Sequence, residues 1–124
     1  MGSELGEHAR QAIEDRRWGD AVEGFEQAEA AGEELTGPDL LDWGMARYWL
    51  RDLDGAVGLL EAAALRCREE RAAEAEARAL QAAIQIASWG GRTAVVTACA
   101  TRLRQLLDSI DEGEAHAIWQ WAMA

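Results

Sequence analysis

Apolar residues recur along this chain at three- and four-residue intervals, interrupted by short polar or glycine-bearing stretches. That is the pattern of a series of amphipathic helices. A first helix is predicted from Leu5 to Arg17, with Leu5, Ala9, Ala12 and Ile13 on one face, and Trp18-Gly19-Asp20 is expected to break it. A second carries the stripe Ala21, Phe25 and Ala28 and is ended by Gly32 and Thr36-Gly37-Pro38, since glycine suits a helix C-terminus and proline the first turn of the next helix. The third, about Pro38 to Leu50, is apolar on most sides: Leu40, Leu41, Trp43, Met45, Tyr48, Trp49 and Leu50. A helix so placed needs neighbours on several faces.

The turn Asp52-Leu53-Asp54-Gly55 follows, where Asp54 is the expected cap for a fourth helix bearing Ala56, Val57, Leu60, Ala63, Ala64 and Cys67, because its carboxylate can accept from a free backbone N–H. Around Glu69-Glu70-Arg71 the pattern turns polar, and a short turn there leads into a fifth helix from about Ala73 to Ser88, striped with Leu80, Ala83, Ile84 and Ala87. Trp89-Gly90-Gly91 breaks it, and Thr93 is placed to cap a sixth helix through Leu107. Asp111 is placed to cap a last helix, Glu112 to Ala124.

Composition agrees with this reading. Ala, Leu, Glu and Arg are abundant and Gln is present, proline occurs once, and Val, Ile and Thr are sparse, so the non-glycine residues are mostly those that lose least on entering a helix. An all-α fold in a single domain of 124 residues is expected. The net charge of -11 excludes nucleic acid as a surface-wide partner, because phosphate binding needs clustered cations. The charge is uneven: residues 1–36 hold ten acids against three arginines, whereas residues 70–107 hold three acids against five arginines. All twelve cations are arginine, and neither Lys nor Asn occurs, a bias suggesting a GC-rich bacterial genome. No apolar run approaches the roughly 20 residues of a membrane span, and the start MGSELGEHAR has neither a basic nor an apolar leader segment. A cytoplasmic protein without a membrane partner is therefore expected, with Cys67 and Cys99 as small buried hydrophobes rather than a disulfide.

The helices also form a repeat. Trp18-Gly19-Asp20-Ala21 falls on Leu53-Asp54-Gly55-Ala56 and on Gly91-Arg92-Thr93-Ala94, so Ala21, Ala56 and Ala94 stand 35 and 38 residues apart. Phe25 then falls on Leu60 and Ala98, and Ala28 on Ala63 and Thr101, while the small residues Ala9, Gly44 and Ala82 lie twelve positions before the three alanines. This register resembles the tetratricopeptide repeat, in which an aromatic or leucine with Gly, then Ala, Phe or Tyr, and Ala recur at about 34 residues. Trp43-Gly44, Ala56, Leu60 and Ala63 carry the likeness best, and the third unit is degenerate. The run from Asp42 to Trp121 also looks like helical-repeat regions of actinobacterial LuxR-type regulators, although no helix-turn-helix with a basic recognition helix is present.

The resemblance implies a right-handed α-solenoid of about three hairpins (3–36, 37–71 and 72–108) with a capping helix at 111–124, about seven helices in all. The competing arrangement is an irregular helical bundle. In such an array the first helix of each unit lines a concave groove, which on this register holds Arg10 and Ile13, then Leu41, Met45, Tyr48 and Trp49, then Ala79, Ala83 and Ile86. Family members that clamp a C-terminal carboxylate use Lys and Asn there, so that type is argued against. A groove of Met and aromatic side chains suits an apolar helix or extended peptide, or a flat small molecule; it is equally open to the chain's own last helix.

No catalytic signature emerges. His8 and His116 have no second His or Cys at metal spacing, and no nucleophile elbow, phosphate loop or zinc motif occurs, so neither cofactor, metal nor catalysis is expected. Six tryptophans are the unusual feature: Trp18 and Trp43 read as packing residues, while Trp119 and Trp121, two apart on one helix, cannot both face one neighbour. With Ile118 they make a greasy end that suits a further repeat or a homodimer. The resulting expectation is a non-catalytic interaction module binding a protein or peptide in a regulatory or scaffolding role. The alternative is a small-molecule sensor using the same apolar groove.

Overall fold

In the computed structural model, which describes residues 4–109, every regular element is an α-helix. The order is α1 (Glu4–Glu14), α2 (Trp18–Ala30), α3 (Gly37–Trp49), α4 (Leu53–Glu69), α5 (Ala73–Trp89) and α6 (Thr93–Ser109). The predicted last helix at 111–124 lies outside the described residues.

The helix starts are set by local chemistry. Thr36, extended at ψ 169°, begins α3 with a reciprocal cap: its Oγ1 accepts from the Asp39 N–H at 3.2 Å, and Asp39 Oδ2 accepts from the Thr36 N–H at 3.1 Å. Two of the free donors at the helix start are thereby satisfied. The cap of α4 is Asp52, whose Oδ1 accepts from the Gly55 N–H at 3.0 Å, not Asp54, which sits within the first turn. The turn closes one residue after Arg51, so Asp52 is the residue left outside the helix.

Five helix ends share one device. After α1, α3, α4 and α5 the central residue of a three-residue connection has positive φ: Arg16 (57°), Arg51 (68°), Arg71 (57°) and Gly91 (70°). Gly32 (81°) does the same after α2. In each case the following N–H returns to the carbonyl five residues back, as in Arg17 to Ala12 (2.8 Å), Asp52 to Arg47 (2.9 Å) and Ala72 to Cys67 (2.9 Å). These bonds close the helix and consume its orphan carbonyls. The first break therefore falls at residues 15–17, and Trp18 opens α2 rather than interrupting the chain. Three arginines hold a conformation that costs a side-chain-bearing residue about 1–2 kcal/mol. Arg16 is exposed, and its side chain makes no hydrogen bond to a described residue. Arg16→Gly is accordingly expected to raise stability by about 0.5–1 kcal/mol, the gain being reduced by glycine's extra unfolded-state entropy. A urea midpoint that falls on substitution would contradict this.

Consecutive helices pack on one another, and α2–α3, joined by the longest connection, is the loosest of these pairs. Among the odd-numbered helices α1 also touches α3, and α3 touches α5; no pair of even-numbered helices is comparably close. Small residues allow the tight approaches: a Cβ on Gly24 would lie 2.9 Å from Ala9 Cβ, and one on Gly44 would lie 3.0 Å from Leu60. The main core runs from Leu41 through Val57, Leu60, Leu80 and Ile86 to Cys99 and Leu103. A smaller one joins Ala9, Phe25, Ala28, Leu35 and Trp43, with the Phe25 and Trp43 rings stacked at 6.0 Å. Cys67 and Cys99 are free and buried, and burial pushes the Cys67 thiol up to about 11. The register positions Ala21, Phe25 and Ala28 in α2, and Ala56, Leu60 and Ala63 in α4, are fully buried, whereas their counterparts Ala94, Ala98 and Thr101 in α6 are exposed.

Candidate functional site

Because α1, α3 and α5 all end at the same edge of the molecule, the residues at their ends come together there. Trp49 is the last residue of α3, Trp89 the last of α5, and Trp18 the first of α2. Trp18 stacks on Trp49 with centroids 5.9 Å apart and planes 13° from parallel. Tyr48 meets Trp49 edge-on at 5.2 Å, and it meets Trp89 at 5.9 Å on its other side. Four aromatic rings thus form a continuous row across three helix connections. Two of its rings are open to solvent: Trp49 is 53% exposed and Trp89 62%, while Trp18 and Tyr48 are partly buried, and Leu50 and Leu53 of the α3–α4 turn region are exposed as well. Contiguous exposed apolar surface of this kind marks an interaction site more often than chance exposure does.

Under the row, α3 and α5 part to leave a cleft of about 70 Å³ lined by Met45, Tyr48, Ala82, Gln85, Ile86 and Trp89. On its flank lie the charged residues Arg51, Asp52, Asp54 and Arg92, with Arg92 Nη1 3.4 Å from Asp54 Oδ1. An apolar centre with a charged rim is the usual anatomy of a protein-binding patch.

The other end of the odd-numbered helices is polar. Arg10 Nε and Nη2 donate to the two oxygens of Asp39 at 2.8 and 2.9 Å, tying α1 to the start of α3. Burial pushes the Asp39 carboxyl up, but the Arg10 guanidinium and the Thr36 N–H outweigh it and hold it below its usual value. One turn on, Asp42 has no such bond; burial, together with the charge of Asp39, raises it to about 6 against the opposing pull of Arg78 and Arg10.

The residues expected to line a groove are therefore divided. Met45, Tyr48 and Ile86 meet in the cleft, and Trp49 adjoins them. Leu41 and Ala83 are core residues, 8% and 0% exposed, and Ala79 is fully buried. Ile13 packs, partly buried, against Ala12, Ala21 and Ala46, while Arg10 belongs to the Asp39 pair at the opposite end. Trp18, Trp89, Leu50 and Leu53 complete the apolar surface without having been assigned to it. A signal for two of them was present, since Trp49 and Trp89 each stand two residues before a positive-φ turn residue. Ile118, Trp119 and Trp121 lie outside the described residues.

Among the described residues no three His, Cys, Asp or Glu side chains gather as a metal-ligand set, and no helix is long and apolar enough to cross a membrane. No protein-family model, curated protein or solved structure matches the chain.

Proposed function

We propose that this protein is a non-catalytic helical-repeat module of the tetratricopeptide type, which binds an apolar segment of a protein partner along its aromatic row in a bacterial regulatory or scaffolding role. The observation that carries the reading is the row itself, in which two tryptophans more than half exposed stand over a cleft of about 70 Å³. That volume accepts one apolar side chain. It is far below the roughly 300–1,000 Å³ of a small-molecule site, which weighs against a sensor using this groove. The contacts of α1 with α3 and α3 with α5, without equivalent contacts among even-numbered helices, support an inner layer of first helices as in a repeat array.

Tryptophans in such patches are frequent binding hot spots, worth about 2 kcal/mol or more each. Peptides of about a dozen residues selected on the wild-type protein should lose about tenfold or more in affinity on Trp49→Ala and on Trp89→Ala. Leu65→Ala removes an exposed apolar side chain from α4, outside the row, and should leave them unchanged. Peptides that bind the two tryptophan variants as well as the wild type would refute the site. A dimer abolished by those same substitutions would make a second copy of the chain the occupant instead.

A further inference from the structure

At the opposite end of α5 from the aromatic row lies a much larger cavity of about 600 Å³. The two are separated by the length of the helix, about 24 Å. Its described lining comes from the last turn of α4, the α4–α5 connection, the first turn of α5 and the second half of α6: Arg68, Arg71, Glu76, Arg102, Gln105 and Ser109, with Ala73 and Leu106 as the apolar wall. We propose that this cavity is a binding site for a small oxyanion, a metabolite carrying phosphate or several carboxylate groups.

Charge is the first ground. Three guanidinium groups face one carboxylate in a chain whose net charge is -11, so this cationic concavity is a local reversal of the protein's field, of the kind that concentrates anions. Partnering is the second. None of the three guanidinium groups makes a hydrogen bond or ion pair to a described residue, unlike those of Arg10, Arg17, Arg47 and Arg92. Arg102 Nη2 is moreover buried with no acceptor, and a buried charged donor left unpaired is costly unless something fills the place. Arg68 and Arg102 act on Glu76, which is 6% exposed, but neither reaches it within ion-pair distance. The planar fork of arginine is the side chain best matched to phosphate and carboxylate. Gln105 can add a neutral donor, whereas the Ser109 hydroxyl already donates to the Leu106 carbonyl at 2.8 Å. Size is the third ground, since the volume lies within the range of small-molecule sites.

The whole 124-residue chain should be titrated calorimetrically with pyrophosphate and with citrate at constant ionic strength, with sodium chloride as the control. Saturable binding of either is expected, and the tighter of the two tells phosphate from carboxylate chemistry. Arg102→Gln should weaken it about tenfold or more, and Arg71→Gln, on an exposed turn, should weaken it without risk to the core. Glu76→Gln should tighten it, because the single opposing charge is removed. Trp49→Ala and Trp89→Ala should leave it untouched, so this site can fail or stand independently of the aromatic row. Absence of binding by both anions, or equal binding by wild type and both arginine variants, would overturn the proposal. So would binding that appears only after Asp111→Asn, Glu112→Gln and Glu114→Gln, since the arginines would then be serving the chain's own acidic residues.

Discussion

Gly37→Ala is expected to destabilise the protein by about 3 kcal/mol or more, a large part of the 5–15 kcal/mol that holds a domain of this size together. Gly37 opens α3 where that helix meets the last turns of α4, and it is buried there. An added Cβ would overlap Cys67 Sγ and lie 2.9 Å from the Cys67 backbone nitrogen and 3.0 Å from its Cα. A side chain can rotate away, but the backbone of a packed helix cannot, so the two helices would have to separate. The same approach lets the Gly37 N–H donate to both oxygens of Glu70, at 3.0 and 3.2 Å, and separation would strain that link as well. Denaturant melting should show the loss, with Gly19→Ala as the comparison, since nothing lies within 4 Å of a Cβ at Gly19. Adding Cys67→Ala should restore only part of the stability, because it removes the sulfur and leaves the backbone contact. An unchanged midpoint for Gly37→Ala would refute this account of the α3–α4 approach.

What could be read from the sequence divides along physical lines. The six described helices follow from 3.6-residue periodicity, and so does the α4–α5 boundary at Glu69-Glu70-Arg71, because burial of a stripe leaves its mark every turn. The helix ends were less legible. Three of the five positive-φ turn residues are arginines, whose side chain gives no hint of the conformation that Gly32 and Gly91 advertise. Asp52 and Asp54 are equally good caps as residues, and only the place where the turn closes selects Asp52. The groove suffered from a different ambiguity: apolar spacing cannot tell a core face from an open one. Leu41 and Ala83 went to the core, while Trp49 and Trp89 stayed in solvent because they end their helices. Arg10 has the spacing of a groove residue, but its partner Asp39 stands 29 positions away, and no local pattern records such a pair. The arginine cavity is likewise assembled from separate segments. The excess of arginine over acid in residues 70–107 was its sole trace in the sequence.

Asp42→Asn is expected to stabilise the protein at pH 7.5 by about 1–3 kcal/mol, and to flatten a pH dependence that the wild type should show. Asp42 is half-buried in α3, with Asp39 adding a like charge and Arg78 and Arg10 only partly offsetting it. Its carboxyl is raised from 3.8 to about 6, which corresponds to at most about 3 kcal/mol between the two protonation states. The sign follows from proton counting. Between the two values the folded chain binds this proton and the unfolded chain does not, so stability falls as pH rises from about 4 through 6. Above that window Asp42 is charged in both states, and the full penalty of holding a carboxylate out of water is present. Asp39 works in the opposite sense: its folded value lies below 3.8, so the stability contributed by the Arg10 pair is present above that pH and is lost as pH falls through the folded value. Together the two groups place maximum stability near pH 4, at the acid end of the Asp42 window. Self-repulsion in a chain of net charge -11 also eases on acidification, which is why the variant is needed to isolate Asp42. Chemical denaturation from pH 4.5 to 8 should give a descending curve for the wild type and a flatter one for Asp42→Asn, the two converging at the acid end. Parallel curves over that range would mean that Asp42 is ionised as freely in the folded chain as in the unfolded one, and would remove it as the source of the slope.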